Sequence, residues 1–321
     1  SDNLEFRNAT IWKAENEDDA SKLSWSRAYT LALSPKIIHS KSRILSKLIS
    51  SKVYRQLEFQ AVGNWWIFDV IGDSSIMKKI PNGREDIFQD SSIDNRSKRS
   101  LIKFLKFVID YENQVHVWKE HAGQDLEAFL SSQFQLPICL HKLIAALTLT
   151  IYPSNQTTVG WALPRISQQL KSQGVLGPGF GSVIVKWGCN SEILQAACRA
   201  SAVGGAVYML GTGIEKTFDS EDPSDLIKVQ LSNGCLLNTK HLVTTSYDVT
   251  NYSSKSVSRI IAITSLPLEY LFKSNIDGAP LSAVAIVVFP PGTLAGNTSS
   301  HRNPVYIMVH SSESGECPCG Q

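Results

Sequence analysis

The chain has 321 residues, of which 43% are hydrophobic and 19% charged, and its formal net charge is +2. This length suffices for one large domain or two linked ones, and the composition excludes a largely disordered or fibrous protein. So small a net charge predicts neither a nucleic-acid partner nor an anionic-membrane partner from charge alone. The densest basic stretch, Arg96 to Lys106, alternates with apolar residues at helical spacing, and we interpret it as the solvated face of a helix.

The spacing of the cysteines and histidines predicts no metal site. None of the six cysteines forms a Cys-x-x-Cys pair, and the seven histidines are scattered, whereas structural zinc sites use closely spaced ligand pairs. We expect reduced thiols, as in a cytoplasmic protein, and no disulfide framework. The N-terminal residues do not resemble a signal peptide, and apolar runs such as Ala283 to Phe289 are too short to cross a bilayer as a helix.

The first quarter of the sequence predicts strands with one helix among them. A strand is expected from Ala28 to Leu33, followed by a helix from Ser34-Pro35 to Ile49, because serine and proline favour a helix start. Alternation of apolar and polar residues predicts a strand from Val53 to Ala61. Two shorter strands are predicted from Trp65 to Phe68 and from Ile76 to Ile80.

The middle of the chain predicts four helices. Asp94 and Asp125 are each placed to cap a helix, and Pro137 opens a third that is rich in leucine. A fourth helix is predicted from Thr157 to Lys171, bent or restarted at Pro164 because proline lacks the N–H that the helix needs there. Four helices in about ninety residues indicate a small helical domain.

Strands return after Gly174. We predict a strand from Ser182 to Lys186, a helix from Ser191 to Val203 and a strand from Ala206 to Leu210. Asn233-Gly234 between two alternating runs is a strong hairpin signal. The hairpin strands and the later strands are predicted at Ile227 to Leu231, Cys235 to Thr239, Arg259 to Thr264, Ala283 to Phe289 and Val305 to Val309.

These elements predict a mixed α/β (α+β) fold. A mixed-sheet domain is formed from both ends of the chain, residues 1–82 and 182–321, and a helical domain of residues 83–181 is inserted between them. The sequence contains no Gly-x-Ser-x-Gly, His-Glu-x-x-His or phosphate-binding loop motif. The glycines from Gly174 to Gly181 are interpreted as a turn, and the histidines as structural. We therefore expect no catalytic residues.

The segment from Trp187 to Leu210 is the most informative. Glu192, Gln195 and Arg199 are spaced i, i+3 and i+7, so their side chains share one helix face. A glycine pair then ends the helix, and Met209 follows. The segment is either a binding platform with ionic, amide and soft apolar groups, or a solvated helix face with Met209 in the core. The residues alone favour the second interpretation.

The order Glu-Ile-x-Gln-x-x-x-Arg, followed by a glycine turn and Tyr-Met-Leu, resembles the Rab escort protein and Rab GDP-dissociation inhibitor superfamily. Tyr54 to Val62 and Lys98 to Leu105 resemble further blocks of that family, and Arg84 to Phe88 is closer to its escort branch. The resemblance implies that the counterparts of the family's GTPase contacts are Glu192, Gln195, Arg199, Met209 and Val207. Val207 replaces a threonine that some members use.

The resemblance implies a fold similar to flavin-dependent oxidoreductases, with a mixed-sheet domain and an inserted helical domain, and a protein without a cofactor. It also implies an accessory role: binding GDP-bound Rab GTPases, presenting them to the Rab geranylgeranyltransferase heterodimer, and shielding the lipid until transient membrane association delivers it. The lipid groove would be lined by residues that could equally form the helical core, namely Leu140, Leu143, Ile144, Leu147 and Leu149.

Two alternatives remain open from the sequence. One is a Rab GDP-dissociation inhibitor, which recycles lipidated GTPases without the transferase. The other is a flavin-dependent oxidoreductase, although the N-terminal glycine fingerprint of such enzymes is absent from this sequence, as is the family's distal C-terminal block.

Overall fold

The computed structural model describes residues 8–12, 23–71, 74–81, 83–218, 226–244, 257–266, 268–273, 281–294 and 303–320. Its elements confirm the predicted mixed α/β class. The strands are β1 (Ile38–His39), β2 (Phe59–Ile71), β3 (Ser74–Lys79), β4 (Ser182–Val185), β5 (Ile214–Phe218), β6 (Ile227–Leu231), β7 (Leu236–Thr239), β8 (Val284–Phe289) and β9 (Val305–His310). The helices are α1 (Arg43–Ser50), α2 (Arg84–Gln89), α3 (Asn95–Ile109), α4 (Val115–Trp118), α5 (Leu126–Phe134), α6 (Ile138–Leu147), α7 (Val159–Ser172), α8 (Asn190–Val203) and α9 (Glu269–Phe272).

Contacts within the chain divide it into two compact units. The large unit consists of Ser24–Ala197 and Ile263–Gln321, and the small unit of Ser1–Leu23 and Cys198–Ala262. In the large unit, helices α2 to α7 and the larger sheet share one hydrophobic core. This division falls at other positions than the predicted domain boundaries, which stay a prediction.

The larger sheet is mixed. Its strand order is β1-β4-β2-β8-β9, with β3 paired to β2. Strands β2 and β8 run parallel, and the other pairs are antiparallel. Five of the six residues of β8 are buried, which explains its continuous apolar sequence, because a strand covered on both faces has no polar side to present.

A break in the pairing of β2 with β8 lies between Val62 and Trp65. At this point Gly63 lies so close to Ser282 that an added Cβ would be 2.3 Å from the Cβ of Ser282. The buried side chain of Asn64 turns toward α9, where its Nδ2 donates hydrogen bonds to the backbone oxygens of Leu271 (3.0 Å) and Lys273 (2.6 Å). The irregularity therefore anchors α9 to the sheet.

Two of the predicted helix starts are confirmed in detail. Asp94 Oδ1 accepts hydrogen bonds from the backbone N–H groups of Arg96 (2.9 Å) and Ser97 (3.0 Å) at the start of α3. Asp125 Oδ1 accepts one from Ala128 N (2.8 Å) at the start of α5. Such caps satisfy donors that the first helical turn leaves unpaired. Pro164 lies inside α7, which continues through it as one helix.

The smaller sheet, β5-β6-β7, is antiparallel and belongs to the small unit. The predicted hairpin between β6 and β7 is confirmed. Asn233 Oδ1 accepts a hydrogen bond from Cys235 N (3.0 Å), and Gly234 has a φ of +84° that favours glycine. Among the described residues of this unit, Val229 is the buried hydrophobic side chain, at 3% exposure.

The N-terminal predictions are partly wrong. Residues 28–33 form no strand, because Thr30 N donates to the backbone oxygen of Glu316 (3.0 Å) instead of to a neighbouring strand. Helix α1 begins at Arg43 rather than at Pro35, with Ser42 as its cap. Residues 53–56 form a 3-10 helix. Strand β2 starts only at Phe59 and continues through the strand predicted from Trp65 to Phe68.

Two later strand predictions are also wrong, since residues 206–210 and 259–264 lie outside the strands of the described chain. The strands β4, β8 and β9 are confirmed near their predicted positions. Within the described ranges, the helices are all too short or too polar to span a membrane.

Candidate functional site

Helix α8 begins after a turn of unusual backbone geometry. Trp187, Gly188 and Cys189 have φ values of +58°, +99° and +54°, in the left-handed region that non-glycine residues seldom adopt. Trp187 N donates to the backbone oxygen of Ser314 (3.0 Å), and Ser191 Oγ donates to that of Gly188 (2.7 Å). These contacts hold the chain as it leaves β4 and fix where the helix starts.

A buried polar cluster lies directly beneath this turn. Cys189 Sγ donates to Glu316 Oε1 (3.5 Å), and His310 Nδ1 lies 3.4 Å from the same oxygen. Ala32 N donates to Glu316 Oε2 (3.4 Å). Glu316 is only 6% exposed, so its carboxylate replaces lost water contacts with the hydrogen bonds from Cys189 and Ala32. His310 Nδ1 lies near the carboxylate without forming a hydrogen bond.

Burial shifts the pKa values of two side chains in this cluster. Burial, and secondarily the charge of Glu316, raises the pKa of Cys189 to about 12, so the thiol stays protonated and is no nucleophile. Burial lowers the pKa of His310, although Glu316 acts in the opposite direction. Sequence reasoning missed this cluster, because 127 residues separate Cys189 from Glu316 and no local signal pairs them.

Two of the five predicted GTPase-contact residues, Glu192 and Gln195, belong to the large unit. Glu192 is half-buried and Gln195 exposed. Gln195 Nε2 donates to Glu192 Oε1 (3.3 Å), which orders both side chains. Ile193 packs against the cluster formed by Ile38, Val183 and Val185, so the opposite side of the helix holds it to the sheet.

The small unit carries Arg199, Val207 and Met209. Arg199 is exposed, Val207 is 85% exposed and Met209 48%. Met209 is therefore not part of the core, against the interpretation that the sequence alone favoured. The turn after α8 is closed by a hydrogen bond from Ala206 N to Ser201 O (2.9 Å) and by contact between the hydroxyls of Ser201 and Tyr208.

Helix α8 is continuous from Asn190 to Val203. Its repeat of 3.6 residues gives Glu192, Gln195 and Arg199 a common face. The predicted contact residues thus carry an acid, an amide, a guanidinium and a soft apolar side chain, a set suited to binding a protein surface and unsuited to bond-breaking chemistry.

The predicted lipid-groove residues lie in the closed core of the large unit. Leu140, Leu143, Ile144 and Leu147 are between 0% and 9% exposed. Leu149 follows the end of α6 with a φ of +52° and packs against the same core. The groove that they were predicted to line stays a prediction, and it requires the helices to separate.

A cavity of about 450 Å3 opens beside α6 in the large unit. Its lining includes Lys142 and Ala145 of α6, together with Pro290 and Tyr306. Lys142 Nζ forms an ion pair with Asp69 (3.2 Å), and burial raises the pKa of Tyr306. None of the five predicted groove residues lines this cavity.

Comparison with known proteins identifies relatives of the chain. A family described as GDP dissociation inhibitor matches residues 5–279. The chain is 32% identical over 299 residues to a protein of Saccharomyces cerevisiae named Rab proteins geranylgeranyltransferase component A, covering 92% of this chain and 47% of the relative. A protein of the same name from Candida albicans is 30% identical over 311 residues, covering 92% and 46%. The chain thus spans about half the length of these relatives.

A solved structure shares the fold. The crystal structure of a Rab GDI from Plasmodium falciparum matches with a TM-score of 0.65 over 95% of this chain and 68% of that chain, at 18% sequence identity. At this identity the match bears on architecture alone.

Proposed function

Because this chain belongs to the GDP dissociation inhibitor family, we propose that it acts as a Rab escort component. It binds GDP-bound Rab-type GTPases, presents them to the Rab geranylgeranyltransferase heterodimer and has no catalytic residues of its own. Two relatives at 30% identity or more are named as component A of that transferase. The proposed site of action is cytoplasmic, with transient membrane association.

The observation that carries this proposal is the exposed face of α8. Arg199 and Gln195 are both exposed, and within the described residues Arg199 has no ion-pair partner. An unpaired guanidinium can form a bidentate pair with a carboxylate of a partner protein. The residues that follow include the exposed apolar side chains of Val207, Met209 and Leu210. Removing this apolar area from water would favour binding of a partner protein.

The proposed lipid role follows from the same family relation. A geranylgeranyl chain gains roughly 0.8 kcal/mol for each CH2 group removed from water. Leu140, Leu143, Ile144, Leu147 and Leu149 offer the apolar surface for it once α6 moves from its neighbours. In the absence of lipid these residues stabilise the helical core by packing together.

The test is a charge reversal at Arg199. We expect Arg199→Glu to weaken the affinity for a GDP-loaded Rab GTPase by more than tenfold, because like charges in a packed interface cost several kcal/mol. Arg43→Glu reverses an exposed charge on α1 and is the matched control, with an expected change below about twofold. Unchanged affinity of a folded Arg199→Glu variant would remove α8 from the interface.

The recycling inhibitor is the second candidate, since the matched family carries that name. Stimulation of geranylgeranylation of an unmodified Rab by the purified transferase supports the escort role. Extraction of lipidated Rab from membranes without such stimulation supports the inhibitor. Flavin absorbance in the purified protein would instead favour the oxidoreductase alternative.

A further inference from the structure

Trp187, in the turn before α8, exposes a large apolar side chain. It belongs to the large unit, and its side chain is 46% exposed, whereas Val185 and Cys189 on either side of it are 2% and 0% exposed. Removing an indole ring from water is favourable, because the ring carries a large apolar area. The exposed half of this ring is therefore available to contact another molecule.

The backbone of Trp187 has a conformation that a bulky residue seldom adopts. Its φ of +58° lies in the left-handed region, which glycine and asparagine enter at a lower cost in free energy. Residues in such conformations cluster at binding and active sites, where the rest of the structure holds them in place. Local backbone geometry thus favours a smaller residue at this position, and a tryptophan occupies it.

The ring of Trp187 is fixed by its neighbours. Its pyrrole edge faces Gly315 so closely that a Cβ added to Gly315 would lie 2.4 Å from the ring Cδ1 and 2.7 Å from Nε1. Lys186 Nζ lies 4.9 Å from the ring centroid and pairs with Glu58 (2.9 Å). A side chain that is already held in one orientation loses little conformational entropy when a partner binds.

The fixed ring borders the predicted GTPase-contact residues of the large unit. Gly188, the next residue, approaches α8 so closely that an added Cβ would lie 3.9 Å from Glu192 Oε1. That oxygen accepts the hydrogen bond from Gln195 Nε2. An apolar ring and a polar pair therefore lie next to each other at the start of α8.

We propose that Trp187 packs against the GDP-bound Rab GTPase as an apolar anchor beside Glu192 and Gln195. The inference rests on the proposed function and adds a contact to the five that the family resemblance implies. Tryptophan is enriched among the residues that dominate binding energy in protein interfaces, where surrounding polar contacts exclude water. The matching surface of the GTPase is an apolar pocket next to groups that pair with a carboxylate and an amide.

The first test is Trp187→Asn. We expect the affinity for a GDP-loaded Rab GTPase to fall by more than tenfold, while the unfolding temperature is maintained, because asparagine tolerates the left-handed backbone. Trp161→Asn on α7 is the matched control, with an expected change in affinity below twofold. Trp161 is 37% exposed, and its ring also contacts a cation, with Arg165 Cζ at 3.6 Å from the centroid.

A second measurement separates direct contact from an effect on the position of α8. The photoreactive residue p-benzoylphenylalanine replaces either Trp187 or Trp161 in the full chain, and the protein is irradiated with GDP-loaded Rab. We expect a covalent adduct with the GTPase from position 187 and none from position 161. A residue that only positions the helix would give no adduct.

Several outcomes would overturn the inference. They are unchanged affinity of a folded Trp187→Asn variant, equal losses in both asparagine variants, no adduct from position 187, or a variant that keeps Rab affinity and loses binding to purified transferase or to lipid vesicles. Arg199→Glu is measured in parallel. If Arg199→Glu weakens Rab binding and Trp187→Asn does not, the anchor fails alone, whereas an unmodified chain that binds no Rab contradicts the proposed function as well.

Discussion

The large and small units differ in how they use their apolar residues. In the large unit, helices and a mixed sheet bury side chains such as Phe129, Ile144 and Leu163 completely. In the described part of the small unit, the sheet has Val229 in its interior, while Leu236 remains 69% exposed and every residue of β5 is exposed. Burial of these side chains therefore stabilises the large unit, whereas the exposed apolar side chains of the small unit can contact another molecule.

This difference separates two kinds of mutational effect. A change in the buried part of the large unit acts mainly through the free energy of unfolding, because buried contacts are lost. A change in the exposed part of the small unit acts mainly through binding, because little is packed against it. Arg199 and Met209 lie in the small unit, which is consistent with a role in recognition.

The largest expected effect compares two isoleucines on α6. Ile144→Ala should cost about 2–5 kcal/mol of unfolding free energy, because the side chain is fully buried and a cavity replaces it. Ile138→Ala is the control, since Ile138 is 76% exposed on the same helix and should change stability by less than about 0.5 kcal/mol. Urea denaturation followed by circular dichroism measures both. Similar losses would show that α6 is not packed as described.

A smaller effect is expected at the polar cluster beneath α8. Glu316→Ala should cost about 1–3 kcal/mol, because the buried Cys189 thiol and the Ala32 N–H lose their acceptor. Glu313→Ala removes an exposed carboxylate from the same segment and should be nearly neutral. Thermal unfolding of the two variants provides the measurement. A stable Glu316→Ala variant would mean that the cluster does not hold the start of the helix.

The smallest effect tests the exposed sheet of the small unit. Leu236→Ser should change stability by less than about 0.5 kcal/mol, whereas Val229→Ser on the neighbouring strand should cost clearly more. Unfolding by urea again measures both. A large loss for Leu236→Ser would break the comparison between the units, because it would show that this side chain is covered in solution.

Local signals predicted the starts of α3 and α5 and the β6–β7 hairpin. Asp94 and Asp125 act within three residues of their own position, and Asn233-Gly234 acts within a two-strand hairpin, so the sequence contains all the information that these elements need. The failures have distant causes. Residues 28–33 bond to Glu316, and α1 starts late because Ile38 and His39 pair with β4.

The candidate site shows the same distinction. Helical spacing gives Glu192, Gln195 and Arg199 a common face, since that follows from the local repeat, and their role as contact residues stays a prediction. Whether Met209 is buried or exposed depends on what packs against it, and the sequence favoured the wrong interpretation. Leucine-rich α6 was equally compatible with a groove and a core, because apolar composition alone does not say what covers a helix.

The close approach of Gly63 to Ser282 has a consequence for sequence change at this point of the sheet. Side chains at positions 63 and 282 would occupy the same space, since a methyl group at 63 would overlap the serine side chain. An alanine at 63 is therefore compatible with the sheet only when residue 282 is reduced to glycine. A side chain at 63 should therefore be tolerated only together with a glycine at 282, and alone it would push apart the parallel strands β2 and β8.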